Sequence, residues 1–154
     1  MSIDKAEWQY DTARKSYCEK YNKNPDALKD EDEEMIWGFA GNHIALFITW
    51  LIRHDFMGDL HHEDEFEEID LDAVKKQEKT GMEIFSKYCD MKFTDEEVCD
   101  EIAPFVKEYY GDEYLKDYCN CIGNEKVLAT AFSWEDYFKL EPILNQAYKK
   151  YLES

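Results

Sequence analysis

Apolar residues recur every three or four positions along most of this chain, the spacing that gathers them on one face of an α-helix. Ile3, Ala6, Tyr10, Ala13, Tyr17 and Tyr21 predict an amphipathic helix over residues 3–21, ended by residues 22–30 with Pro25 among them. A far more apolar helix is expected over about 33–56. An acidic connection over 57–70, containing Gly58 and the pair His61-His62, follows it. A third helix is expected over 71–88 with Val74, Ile84, Phe85 and Tyr88 inward, although Gly81 inside it costs about 1 kcal/mol relative to alanine.

Thr94-Asp95-Glu96-Glu97 has the form of a capping box, in which Thr94 and Glu97 satisfy each other's backbone N–H groups. The helix it opens would bury Val98 and Ile102, and Pro104 is expected to kink or interrupt it before Phe105, Val106 and Tyr109. Residues 112–122 predict another helix, with Tyr114, Leu115, Tyr118 and Ile122 inward and Gly123 as its stop. Residues 126–132 are the one stretch with strand character. Ser133 then caps a helix carrying Phe138, Leu140, Ile143, Leu144, Ala147, Tyr148 and Tyr151, with a break or restart expected at Pro142. The pattern predicts an all-α fold over residues 1–154: one compact domain, a bundle of about six helices around a central apolar helix, with at most one short strand-like segment.

Residues 35–52 run for 18 positions without a charge, which reaches the length of a membrane span. Gly38, Asn42, Ala45, Thr49 and Arg53 nevertheless share one helical stripe, while Ile36, Trp37, Phe39, Ile44, Phe47, Ile48, Trp50 and Leu51 occupy the other faces. A small and polar stripe on an apolar helix fits a core helix with one strip against water or a close neighbour. No flanking Lys/Arg cluster orients it in a bilayer.

The 154 residues carry 18 Lys+Arg against 36 Asp+Glu, a formal charge of −18, with 44% hydrophobic and 16% aromatic residues. That content is too rich for a disordered acidic tail. The charge excludes nucleic-acid binding through a basic surface and disfavours adsorption to an anionic membrane. Five cysteines, Cys18, Cys89, Cys99, Cys119 and Cys121, with no apolar leader before them, fit free thiols in a reducing cytoplasm. Cys119-x-Cys121 lacks the second pair or neighbouring histidine that a zinc site needs.

Catalytic signatures are few. No G-x-S-x-G elbow, phosphate-cradling glycine loop or H-E-x-x-H helix is present. Asp59-x-x-His62 occurs once, where a carboxylate-bridged di-iron bundle needs Glu-x-x-His twice. Asp30, Asp32 and Glu34 alternate like the start of a calcium loop, but Met35 stands where the turn requires glycine. His54, His61 and His62 among Asp55, Asp59, Glu63 and Asp64 could hold zinc, manganese or iron. The competing reading is a solvated acidic loop. His43, on the face of Phe47 and Trp50, reads as a core histidine with a bonded ring nitrogen. No cofactor is called for.

Charge distribution is the more informative signal. Asp55, Asp59, Glu63, Asp64, Glu65, Glu67, Glu68, Asp70 and Asp72 follow one another without a Lys or Arg, and Asp30, Glu31, Asp32, Glu33 and Glu34 form a consecutive run. Asp95, Glu96, Glu97, Asp100 and Glu101 make a third basic-free patch, while lysines cluster elsewhere. Segregated charge creates a directional field that speeds association with a basic partner. Tyr109-Tyr110 and Tyr114, beside Glu108, Asp112 and Glu113, have the composition of a protein interface.

Several motifs together carry a resemblance. They are Trp8-Gln9-Tyr10-Asp11-Thr12-Ala13, then Gly41-Asn42-His43-Ile44-Ala45-Leu46-Phe47-Ile48-Thr49-Trp50-Leu51-Ile52, then Phe105-Val106-Lys107-Glu108-Tyr109-Tyr110, Tyr114-Leu115-Lys116-Asp117-Tyr118 and Ser133-Trp134-Glu135-Asp136-Tyr137. Their order resembles a family of small, uncharacterised bacterial domains, similar in kind to the immunity proteins of polymorphic or contact-dependent toxin systems. The motifs are aromatic and structural, so the resemblance implies kinship of fold and assigns no binding residue.

The resulting expectation is a cytoplasmic, non-enzymatic immunity protein that binds and neutralises a cognate toxin domain of basic charge, such as a nuclease, with no direct contact to nucleic acid or membrane. Its partner-binding residues would be Asp59, Glu63, Asp64, Glu65, Glu67, Glu68, Asp70 and Asp72, with Asp30, Glu31, Asp32, Glu33 and Glu34 second. The alternatives are a metal-dependent enzyme built on His54, His61 and His62, and an acidic nucleic-acid mimic that inhibits a DNA-binding protein.

Overall fold

A computed structural model describes residues 2–57 and 68–154. Among the described residues there are seven α-helices and one two-stranded sheet. They are β1 (Ser2–Lys5), α1 (Tyr10–Tyr21), α2 (Asp30–Arg53), α3 (Glu68–Lys75), α4 (Gly81–Tyr88), β2 (Lys92–Thr94), α5 (Ala103–Tyr109), α6 (Asp112–Ile122) and α7 (Trp134–Glu153). The predicted helical fold with a central apolar helix is what forms.

That central helix is α2. Every residue from Ala40 to Ile52 is buried, and α1, α3, α4 and α7 pack around it. It is long and apolar enough to cross a membrane, but 83% of its most apolar stretch is covered by the rest of this chain. Phe47 sits at the middle of an aromatic cluster, with the rings of Tyr114, Tyr110, Trp50, Phe93 and Tyr109 at centroid distances between 4.9 and 6.4 Å. Each such ring removed from water stabilises the fold by roughly 1.5–3 kcal/mol.

The small and polar stripe of α2 meets close neighbours rather than water along most of its length. Asn42 Nδ2 donates to Tyr118 Oη at 3.0 Å. Ala45 and Thr49 form a slot for Gly81 of α4: a Cβ on Gly81 would overlap Thr49 Oγ1 and lie 2.7 Å from the Ala45 carbonyl oxygen. Arg53 Nη1 donates to the Lys75 carbonyl at 2.8 Å, with Trp134, Tyr137 and Phe138 ringed about its guanidinium.

Several local expectations change. Residues 2–5 leave the anticipated first helix and pair antiparallel with Lys92–Thr94, so α1 begins only at Tyr10. The sheet therefore forms here and not over residues 126–132, which follow a 3-10 turn at Asn124–Lys126 without strand pairing. The anticipated helix over 71–88 is two helices, because Thr80 caps a new start: its Oγ1 accepts from Glu83 N–H at 3.2 Å and Glu83 Oε2 accepts from Thr80 N–H at 2.6 Å. The Thr94 box opens only a 3-10 turn, Asp95–Glu97. Pro104 does not interrupt a helix but lies in the first turn of α5, where its missing N–H is not needed.

Helix α6 ends at Gly123, whose φ of 101° suits glycine, but Leu115 faces outward. Ser133 Oγ accepts from Asp136 N–H at 3.1 Å and starts α7, which continues unbroken through Pro142. Pro142 is exposed, so water can satisfy the carbonyl left without its N–H partner, while buried Leu140 and Leu144 on either side hold the helix to the core.

Candidate functional site

The acids expected to bind a partner separate into outward and inward groups. Asp30, Glu31, Glu33 and Glu34 are exposed on the first turns of α2, and among the described residues none of them is in an ion pair. Their position has a local cause, since carboxylates complement the positive end of a helix. Their alternation is thus that of a helix start, not a coordinating loop. Asp32 turns inward. It accepts from Lys29 N–H at 3.0 Å and from Tyr17 Oη at 2.5 Å, two bonds that hold its carboxyl below the usual value. Asp32 is 7% exposed and belongs to the α1–α2 junction, not to a partner surface.

Asp70 is corrected in the same way. It is 4% exposed and accepts from Lys79 at 2.7 Å, Tyr88 at 2.6 Å and Lys87 at 2.9 Å, which together hold its carboxyl far below the ordinary range. It clamps α3 to α4. Asp72 is exposed on α3, and Glu68 is that helix's first residue. Asp59, Glu63, Asp64, Glu65 and Glu67 lie outside the described residues, as do His61 and His62. Glu97, counted in the third acidic patch, is 3% exposed. Burial pushes its carboxyl up to about 7 despite a bond from Thr94 Oγ1 at 3.3 Å.

The tyrosines read as interface residues are internal. Tyr109, Tyr110 and Tyr114 are all buried, with hydroxyls donated to Asp117, Asp4 and the His43 carbonyl at 2.6, 2.7 and 2.5 Å. His43 is the bonded core histidine expected, its Nε2 3.0 Å from Asp4 Oδ2. His54 packs beside Trp50 and Phe56 with Nε2 3.4 Å from Glu141 Oε2, facing α7. All five cysteines are unpaired, and among the described residues no three His, Cys, Asp or Glu side chains converge as a metal-binding group.

Three of the outward acids of α2, Asp30, Glu33 and Glu34, border a groove of about 1050 Å³ whose opposite wall is α4 and the turn into β2. Glu7, Asp30, Glu33, Glu34, Glu83 and Asp90 bring six carboxylates to it, against Lys79, Lys87 and Lys92. Two of those three lysines are the ones bound to Asp70, and Lys92 lies 3.7 Å from Asp90. Trp37, Gly38, Met82 and Met91 give the groove an apolar floor. Trp37 is held against Tyr10, ring centroids 4.6 Å apart. Sequence pattern indicated the acids but not this floor, because α4 reaches Trp37 and Gly38 only through the packing of Gly81 into α2.

Fold and site together define a small helical domain built on one buried helix, with an acid-rimmed groove beside it. The chain belongs to the family described as a domain of unknown function, DUF7832, whose model matches residues 2–133. No curated protein and no solved structure matches it.

Proposed function

We propose that this protein is an immunity protein: a cytoplasmic binder that neutralises a cognate bacterial toxin of basic charge. The observation that supports this reading is the set Asp30, Glu31, Glu33 and Glu34, four exposed carboxylates in the first two turns of one helix with no lysine or arginine answering them among the described residues. A net charge of −18 gives such a protein a strong field, and unpaired acids on one element give that field a direction. A basic toxin would be steered to this face and its cationic cleft covered in place of an anionic substrate. A specific complex of this type buries roughly 1,200–2,000 Å² in all.

The test is co-expression with any toxin found encoded beside this gene. Protection of the cells and recovery of a complex whose association slows steeply with salt support the reading. A neighbouring toxin that kills equally well with and without the protein overturns it.

A further inference from the structure

The groove between the N-terminal half of α2 and the corner from α4 to β2 is more specific than a charged surface. Its volume of about 1050 Å³ lies just above the usual range of small-ligand sites, about 300–1,000 Å³. It is partly open to solvent, with its lining drawn from Glu7, the first turns of α2, α4 and the turn into β2.

Its charge selects the occupant. Lys79 and Lys87, the cations of the α4 wall, both bond Asp70, and Lys92 pairs with Asp90. Asp30, Glu33 and Glu34 face them without a partner among the described residues. An anionic segment would meet uncompensated carboxylates, whereas a cationic one would complete them.

The floor adds an independent requirement. Trp37 is half-buried and braced by Tyr10, presenting a fixed aromatic surface on which an aliphatic side chain or a guanidinium can rest. Gly38 stands next to it. Glycine inside a helix costs about 1 kcal/mol relative to alanine. At Gly81 and Gly41 the cost has a reason inside this chain, because a Cβ there would press on Thr49 or Phe85. At Gly38 an added Cβ would meet nothing within 4 Å. The missing side chain serves no packing in the free protein, and a larger one there would stand in the groove beside Trp37.

We infer that this groove is the docking seat for a cationic amphipathic segment of the partner protein, which sets arginine or lysine against Asp30, Glu33 and Glu34 and an apolar side chain on Trp37 at the opening left by Gly38. The inference rests on the reading as a binder of a basic partner and names where and by what chemistry that partner is held. The mode is that of an amphipathic helix laid in a groove, its anchors spaced at three and four.

The experiment uses the full chain and a labelled peptide of roughly twelve residues with leucine and arginine at helical spacing, compared with oligo-arginine of equal charge. The leucine-arginine peptide is expected to bind at least about tenfold tighter than oligo-arginine, and Gly38→Leu to lose at least about tenfold while melting no lower than wild type. Ser86→Trp, which fills the groove from the exposed α4 wall, gives the same loss by a second route. The pair Glu33→Lys and Glu34→Lys abolishes binding, whereas Glu19→Lys with Asp112→Lys, the same charge change placed elsewhere, leaves it within about threefold. Equal affinity for both peptides, wild-type binding by Gly38→Leu and Ser86→Trp, or an equal loss in the control pair overturns the groove. The two readings fail separately. Neutralisation of the toxin by Gly38→Leu and Ser86→Trp overturns the groove and leaves the immunity reading standing. Peptide bound in the groove by a protein that no neighbouring toxin recognises does the reverse.

Discussion

His43 Nε2 lies 3.0 Å from Asp4 Oδ2, joining the middle of the central helix to the N-terminal strand across 39 positions of chain. The same carboxylate oxygen accepts Tyr110 Oη at 2.7 Å, and Asp4 Oδ1 accepts Lys5 N–H at 2.8 Å. One buried side chain thus ties β1 to α2 and to the end of α5. Burial by itself would raise the Asp4 carboxyl, but the bonds from His43 and Tyr110 outweigh it and hold the group below 3.8. Because Asp4 is ionised, the His43 nitrogen facing it is the donor.

Removing that acceptor leaves two buried donors without a partner. Asp4→Ala is expected to destabilise the fold by about 3 kcal/mol, and Tyr110→Phe, which deletes one donor and leaves the rest satisfied, by about 1 kcal/mol. Urea denaturation at neutral pH measures both. Losses of equal size would show that Asp4 is not the hub.

Asp70 and Glu97 should give pH dependences of opposite sign. The Asp70 carboxyl is depressed by its bonds to Lys79, Tyr88 and Lys87, so its contribution is present above 3.8 and lost as pH falls through the folded value. Asp70→Asn should lower the urea midpoint at neutral pH and flatten the acid limb of the stability curve. It also releases Lys79 and Lys87 beside the groove, so the same variant should bind a cationic peptide more weakly than wild type.

Glu97 is raised by burial from 4.5 to about 7. A raised carboxyl stabilises the fold fully below its unfolded value, and that stability declines as pH rises through about 7. The loss is about 3 kcal/mol once Glu97 is ionised, since every tenfold weakening of the acid corresponds to about 1.4 kcal/mol. Its neighbours Cys89 and Thr94 bring no positive charge to answer the carboxylate. Glu97→Gln should remove most of the decline between mildly acidic and mildly alkaline pH, as followed by thermal melting. An unchanged slope in the variant would assign the decline elsewhere.

Two glycines, Gly38 inside α2 and Gly81 at the start of α4, should respond oppositely to the same substitution. Gly38→Ala adds a methyl group where nothing lies within 4 Å and should stabilise α2 by up to about 1 kcal/mol. Gly81→Ala places its methyl against Thr49 Oγ1 and the Ala45 carbonyl oxygen, forcing α4 away from α2 at a cost of about 2 kcal/mol. Melting temperatures of the pair give the comparison, and a common direction of change would contradict the packing described.

Periodicity and end signals by themselves determined a helical domain, the apolar axis at α2, the start of α7 at Ser133 and the stop of α6 at Gly123, because each is written within one or two turns of chain. They also indicated the exposed acids of α2 and the bonded His43. Tertiary structure decided what depends on residues far apart. Residues 2–5 carry a spacing that would suit a helix, yet become a strand because Lys92–Thr94 supplies the hydrogen bonds. Pro142 signals a break, yet stays helical because Leu140 and Leu144 anchor the turns around it. Asp32 and Asp70 look like their exposed neighbours in any linear pattern. Only the approach of Tyr17, and of Lys79, Lys87 and Tyr88, turns them into buried clamps, and only the seating of Gly81 against α2 closes a groove over Trp37. Local propensity is a short-range quantity, whereas the burial and pairing of a charge are set by whichever side chains the fold brings within a few ångströms.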